Sequence, residues 1–241
     1  MMNISNKYEI LIFDLDDTLI DNYENVKYAF EVICDYLKEE YSEDLFNKWY
    51  LFDKEYWIKY DNNLLELSLD RNDKKFVPYV RALRFYLFFD NKYNMDKCIK
   101  INELFLESLK EHIVGIKNVK ETLEYLNKKY TLVIGTNGPS IAATTKLEKI
   151  GCLDLFKYIF SADMTKNIVT KPSKEYIDEL LDYIKFYDRD KILIIGDTIR
   201  NDVMCGINSN IDTCWYNSLK EVSDIKPNII INDLIELKKI L

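Results

Sequence analysis

Acidic residues stand directly behind two apolar runs. Asp14-Leu15-Asp16-Asp17-Thr18 follows Ile10-Leu11-Ile12-Phe13, and Gly196-Asp197-Thr198-Ile199-Arg200-Asn201-Asp202 follows Ile192-Leu193-Ile194-Ile195. A carboxylate with a pKa of about 3.9 is ionised at neutral pH, so Asp14 can attack phosphorus with no base to activate it. The leaving alkoxide then needs a proton, and Asp16 beside it can supply one first and take one from water second. Thr136 follows a third apolar run, Leu132-Val133-Ile134-Gly135, and Lys171 precedes Pro172. A hydroxyl and a cation can bind phosphoryl oxygens, and the backbone N–H groups of Asn137 and Gly138 can join them. Lys166 is a rival cation in the same loop; Lys171 is favoured because Pro172 can start the next helix and hold the lysine at its entry.

Charge calls for a metal. Asp14, Asp197, Asp202 and a dianionic phosphate sum to about −5, against +1 from Lys171. One divalent ion brings the balance to about −2, and an all-oxygen site favours Mg²⁺. One histidine in the chain, His112, removes most mechanisms built on histidine bases or multi-histidine metal sites, and His112 itself reads as a polar residue near a helix end.

The elements that must position these residues are legible from periodicity. Strands are expected over residues 8–13, 130–135, 158–161, 191–196 and 211–216, with continuous apolar runs of the kind buried on both faces of a sheet. Helices are expected over 117–128, 140–150, 173–186 and 234–240, so strand and helix alternate from about residue 113 onward, as in a doubly wound parallel sheet. Gly151 is placed to close the helix ending at Ile150. Residues 22–112 differ: Val26, Ala29, Phe30, Ile33, Tyr36 and Leu37 repeat at helical spacing, and further helices are expected over 43–60, 73–89 and 95–110. The expected architecture is α/β, with residues 1–21 and 113–241 forming a Rossmann-like core and 22–112 an inserted all-helical cap.

A chain of 241 residues that is 48% hydrophobic can fill both cores. Its net charge of −8 disfavours nucleic-acid polymers and anionic membranes as partners. The five cysteines are scattered and form no Cys-x-x-Cys pair, which suits a reducing, cytoplasmic setting. The first nine residues are polar, and no apolar run approaches the length needed to cross a bilayer.

The segment beginning at Asp14 resembles the first motif, D-x-D-x-[TV], of haloacid dehalogenase superfamily phosphatases. Thr136, Lys171-Pro172 and the segment 196–202 follow in that family's order, each at a strand end or a helix start. The resemblance implies that Asp14 and Asp197 bind Mg²⁺ through carboxylates and Asp16 through its backbone carbonyl, with Asp202 supporting the metal shell. It also implies that the helical insertion opens and closes over the crevice. Residues 206–217 are similar to the pyrimidine-nucleotide 5′-nucleotidase branch, implying a small phosphorylated metabolite, a nucleoside monophosphate, as substrate. The chain departs from relatives in two places: residues 163–170 contain no glycine, and Asn210 stands where relatives carry further glycines. Trp215 and Tyr216 read as β-formers packed against a helix. Arg81 and Arg84 could meet a base or sugar, although a solvated helix face is the stronger reading.

Phosphatases for phosphosugars or phosphoglycolate, and phosphomutases, share these motifs. A dehalogenase has no use for Asp16 with Asp197. A phospho-accepting signalling domain carries its acidic pair and its phosphorylated aspartate on different strands and has no helical insertion.

Overall fold

The computed structural model describes residues 7–70 and 73–241; residues 1–6, part of the polar opening, lie outside the described residues. The chain forms two compact units, Met1–Asn22 with Ile113–Leu241, and Tyr23–His112.

The first unit is built on a parallel sheet of six strands, β1 (Ile10–Phe13), β2 (Thr131–Thr136), β3 (Tyr158–Ser161), β4 (Ile192–Gly196), β5 (Asp212–Tyr216) and β6 (Ile229–Ile231), in the order β3-β2-β1-β4-β5-β6. Side chains alternate between its faces. Leu11, Phe13, Leu132, Ile134, Leu193 and Ile195 enter one core layer, while Ile10, Ile12, Val133, Ile192 and Ile194 enter the other. Burial on both sides explains why these runs are apolar without interruption. The three-residue edge strand β6 is absent from the sequence expectation, being too short to show a period.

Among the helices, α1 (Asn22–Leu37), α2 (Glu43–Asp61), α3 (Phe76–Phe88) and α4 (Met95–Glu111) fall in the first half of the chain. Those that follow are α5 (Val119–Leu126), α6 (Ser140–Lys149), α7 (Lys174–Ile184), α8 (Met204–Ser209) and α9 (Leu237–Ile240). Local backbone geometry trims several expected boundaries. Asn118 has φ +63°, so α5 begins only at Val119, and Lys185, at φ +56°, stops α7. Gly151 does turn left-handed after α6, with φ +64°. Asn210 takes φ +53° after α8, filling the role of a glycine because its short polar side chain tolerates that region.

In the second unit Trp49 is the centre of the core. It stacks on Phe30 at 5.4 Å and on Phe85 at 4.5 Å, and all three are fully buried. Ala29, Phe30 and Ile33 of the expected α1 face are buried, but Tyr36 is 43% exposed and Cys34 takes its place inside. Arg84 corrects the expectation of a solvated face. Only 5% exposed, it pairs with Asp53 at 2.7 Å and lies against Trp57, Phe85 and Phe105, whereas Arg81 is exposed. A guanidinium so enclosed is held by its ion pair and by the Asn102 and Arg81 oxygens that accept from it. His112 ends α4, its ring stacked on Tyr28 at 4.3 Å. All five cysteines are buried and free, and no helix among the described residues is long and apolar enough to cross a membrane.

Candidate active site

The carboxyl ends of β1, β2 and β4 converge, and each hands over to one of the acidic or hydroxyl residues singled out above. In open α/β sheets that edge is where ligands bind. Asp14 follows β1 directly, its N–H donating to the Ile195 carbonyl of β4 at 2.8 Å, so the two acidic segments are tied by backbone. Carboxylate oxygens of Asp14, Asp197 and Asp202 lie within 4.8 Å of one another.

Lys171 bridges two of the three. Its Nζ donates to Asp14 Oδ1 at 2.6 Å and to Asp202 Oδ1 at 2.7 Å, and the residue is only 5% exposed. Lys166, the rival cation, is exposed, and its backbone N–H donates to Glu179 at 3.0 Å. Lys171 is fixed by a different device from the one the sequence suggests. Ser173 caps α7, accepting from Glu175 N–H at 3.1 Å, so Pro172 lies before the cap and does not start the helix. The backbone of Lys171 is instead clamped by Asn137: its N–H donates to Asn137 Oδ1 at 2.8 Å and its carbonyl accepts from Asn137 Nδ2 at 3.2 Å. Asn137 therefore spends its side chain on the lysine.

Asp202 lies in a wide helical turn, Ile199–Val203, that runs into α8. Its Oδ2 accepts from the Thr198 N–H at 3.0 Å and hydroxyl at 2.7 Å, so both oxygens are engaged. Gly196 makes this possible: a β-carbon there would stand 2.2 Å from Asp202 Cγ. Asp197 accepts the Thr18 hydroxyl on Oδ1 at 3.1 Å, and its carbonyl takes the Trp215 indole N–H at 2.7 Å. Thr136 ends β2, 2% exposed, with its Oγ1 accepting from Gly138 N–H at 3.1 Å. The fully buried Tyr176 of α7 donates toward the carbonyls of Thr136 and Phe160, at 3.1 and 3.2 Å, which steadies the end of β2 against β3.

Asp16 stays beside this site: its charge bears on Asp14, and its Oδ2 would lie 3.9 Å from a β-carbon on Gly138. The chain turns only after it, Asp17 taking φ +60° and returning its N–H to the Ile20 carbonyl at 2.9 Å. The Asp16 carboxylate pairs with Lys146 on α6.

Three carboxylates around one ammonium leave negative charge uncompensated. Burial, then Asp14, Asp202 and Asp17, push the Asp197 carboxyl up to about 8, against a small pull downward from Thr18. Asp14 is raised chiefly by burial, with Asp202 and Asp16 adding to it and Lys171 opposing. Burial alone would lower Lys171, but Asp14 and Asp202 outweigh it and hold the ammonium well above its ordinary range. An all-oxygen donor set with an excess of about two negative charges fits a hard divalent cation.

The residues that sequence reasoning missed are the supports. Thr18 sits inside the first acidic segment and Thr198 inside the second, where position was the available signal. Trp215 read as a β-former, and Lys146 was one among 33 Lys and Arg residues with no local pattern to mark it.

The chain has recognisable relatives among known proteins. Residues 11–216 match the family model described as haloacid dehalogenase-like hydrolase. The chain is 27% identical over 239 residues to the pyrimidine 5′-nucleotidase YjjG of Escherichia coli, covering 98% of each protein. It is 26% identical to the pyrimidine 5′-nucleotidase PynA of Streptococcus pneumoniae, over 87% of this chain and 84% of that one. Among solved structures, the magnesium-bound HAD-hydrolase YfnB of Bacillus subtilis superposes with a TM-score of 0.80 at 24% identity, covering 98% of this chain and 99% of that one.

Proposed function

From the premise that this chain belongs to the haloacid dehalogenase-like hydrolase family, we propose that it is a Mg²⁺-dependent phosphatase acting on pyrimidine nucleoside 5′-monophosphates through an aspartyl-phosphate on Asp14. The observation that carries the reading is the buried Asp14–Lys171–Asp202 chain beside Asp197 at the carboxyl edge of the sheet.

In this mechanism an oxygen of Asp14 bonds to phosphorus as the bond from phosphorus to the ester oxygen breaks, and Asp16 gives that oxygen a proton. Asp16 then takes a proton from water, whose oxygen displaces Asp14 and releases phosphate. Lys171, Thr136 and the 137–138 backbone hold the phosphoryl oxygens, where positioning and charge do most of the catalytic work. Asp14, Asp197 and the Asp16 carbonyl would hold Mg²⁺. With both its oxygens already engaged, Asp202 suits a supporting place. When bound, the ion supplies positive charge for the phosphoryl group. In this reading residues 1–21 and 113–241 are the catalytic core, and the helical unit 22–112 selects the leaving group.

The pyrimidine assignment draws on the names of the two curated relatives and on the nucleotidase-like segment 206–217. A base stacked on aromatic side chains gains about 1–3 kcal/mol, which lifts a nucleotide about 5- to 150-fold over a bare sugar phosphate. The test is kcat/KM across UMP, dUMP, dTMP, AMP, glucose phosphates and phosphoglycolate, with pyrimidine nucleotides expected to lead. A sugar phosphate or phosphoglycolate ahead of every pyrimidine nucleotide by about tenfold, roughly 1.4 kcal/mol, would end the nucleotidase reading and leave the Asp14 chemistry standing.

A further inference from the structure

Lys146 meets Asp16 across 130 positions of sequence. It reaches the carboxylate from a helix that is pinned on both flanks. At the start of α6 the Ser140 N–H donates to Asp163 at 3.2 Å and its hydroxyl at 3.1 Å, while Ala143 and Leu147 are buried in the core beneath the sheet. The lysine is thus delivered by a rigid element, with its side chain only 23% exposed.

The pairing is one-sided. Lys146 holds Oδ1, whereas Oδ2 faces the loop after β2, where it would lie 3.9 Å from a β-carbon on Gly138, the residue whose N–H meets Thr136. An ammonium has donors and no acceptor, so the oxygen it touches must remain an acceptor. A proton carried by Asp16 is therefore confined to Oδ2, the oxygen turned toward the Thr136–Gly138 loop. Without Lys146 the carboxyl group can rotate and carry its proton on either oxygen. Proton transfer in the transition state is sensitive to that misplacement.

We propose that Lys146 is a positioning residue for the reaction: by anchoring Oδ1 it directs the proton-bearing Oδ2 of Asp16 at the ester oxygen of the leaving group. The inference rests on the Asp14 phosphatase reading. An ordinary surface ion pair contributes at most about 1 kcal/mol to stability and has no bearing on which substrate suffers when it is removed. Positioning of a proton donor has such a bearing, because only a poor leaving group needs the proton.

The experiment compares kcat/KM for UMP and for 4-nitrophenyl phosphate, since this ratio reports the step in which the ester bond breaks. Lys146→Met, which keeps the stem and removes the charge, is expected to lower kcat/KM for UMP by about tenfold or more and for 4-nitrophenyl phosphate by less than about threefold. Lys146→Arg should restore most of the UMP activity. In an Asp16→Asn background Lys146→Met should add less than about twofold, since the two residues act as one unit. Equal losses on both substrates, or losses that multiply with those of Asp16→Asn, would overturn the proposal. If Lys146→Met does not fold by circular dichroism, Lys146→Gln is read against the same two outcomes. Turnover retained by Asp14→Asn would instead remove the phosphatase reading itself, a result separable from the behaviour of Lys146.

Discussion

At the end of the sheet one ammonium serves two buried carboxylates, and a third stands within 4.8 Å of them. Asp14→Asn keeps the volume of the side chain and removes its nucleophilicity, so turnover should fall below about one-thousandth of wild type while the fold survives. Phosphate release with an unchanged circular dichroism spectrum checks both halves. Lys171→Ala should cost about 10²–10³ in kcat, the size expected for deleting a preorganised charge. Lys166→Ala, an exposed substitution, should stay within about twofold. The reverse order would mean that the exposed lysine is the one that reaches substrate. Gly196→Ala drives a β-carbon to 2.2 Å from Asp202 Cγ. Such overpacking costs about 1–3 kcal/mol. Because the displaced group is the partner of Lys171, activity should drop along with Tm; a variant with wild-type stability and rate would contradict the close approach.

The loop that delivers Lys171 carries its own strain. Residues 163–170 contain no glycine. Ile168, a β-branched residue 74% exposed, takes φ +53° there. A left-handed conformation costs an L-residue about 1–2 kcal/mol, and a glycine would recover this less about 0.5–1 kcal/mol of added unfolded-state entropy. Ile168→Gly should therefore raise stability by roughly 0.5–1 kcal/mol, read as a higher urea midpoint at unchanged m-value. A lowered midpoint would show that Ile168 gains more from packing than it loses to its backbone. The Asn137 clamp makes the same point about elements: β2 and the loop before α7 are 34 positions apart in sequence, yet two hydrogen bonds join them.

Over the whole molecule a net charge of −8 accompanies an acidic site with a single buried ammonium. Chelation should stop catalysis and Mg²⁺ restore it; full activity after exhaustive metal removal would refute the role proposed for Asp197. The pH dependence of Mg²⁺ affinity has a definite sign. Asp197 is pushed up to about 8 and Asp14 is raised with it, so below that range protons compete with the cation for the same oxygens. Apparent affinity should rise with pH and level off above about pH 8, with protons released on binding. Titration calorimetry in buffers of different ionisation enthalpy measures both quantities. An affinity independent of pH between 6 and 9, on the scale of about a pKa unit either side, would contradict it.

Alternation of apolar runs with helical stretches determined the sheet, because strands buried on both faces admit only apolar residues, and β1, β2 and β4 lie where their continuous runs put them. The position of Asp14, Thr136, Asp197 and Asp202 at strand ends or just beyond was legible for the same reason, since a polar residue closing such a run must sit at the sheet edge. Sequence also marked Gly151 and Asn210 as left-handed turns, because few residues tolerate that conformation. What it could not contain is side-chain direction. Asp16 pairs with Lys146 while Asp14 joins Lys171. Asn137 grips a backbone, Trp215 donates its indole N–H to Asp197, and Arg84 disappears among aromatic rings. Each of these hydrogen bonds and ion pairs joins positions 18 or more apart. They form only when the sheet and helices are packed, because a hydrogen bond depends on distances of a few tenths of an ångström that no local spacing encodes.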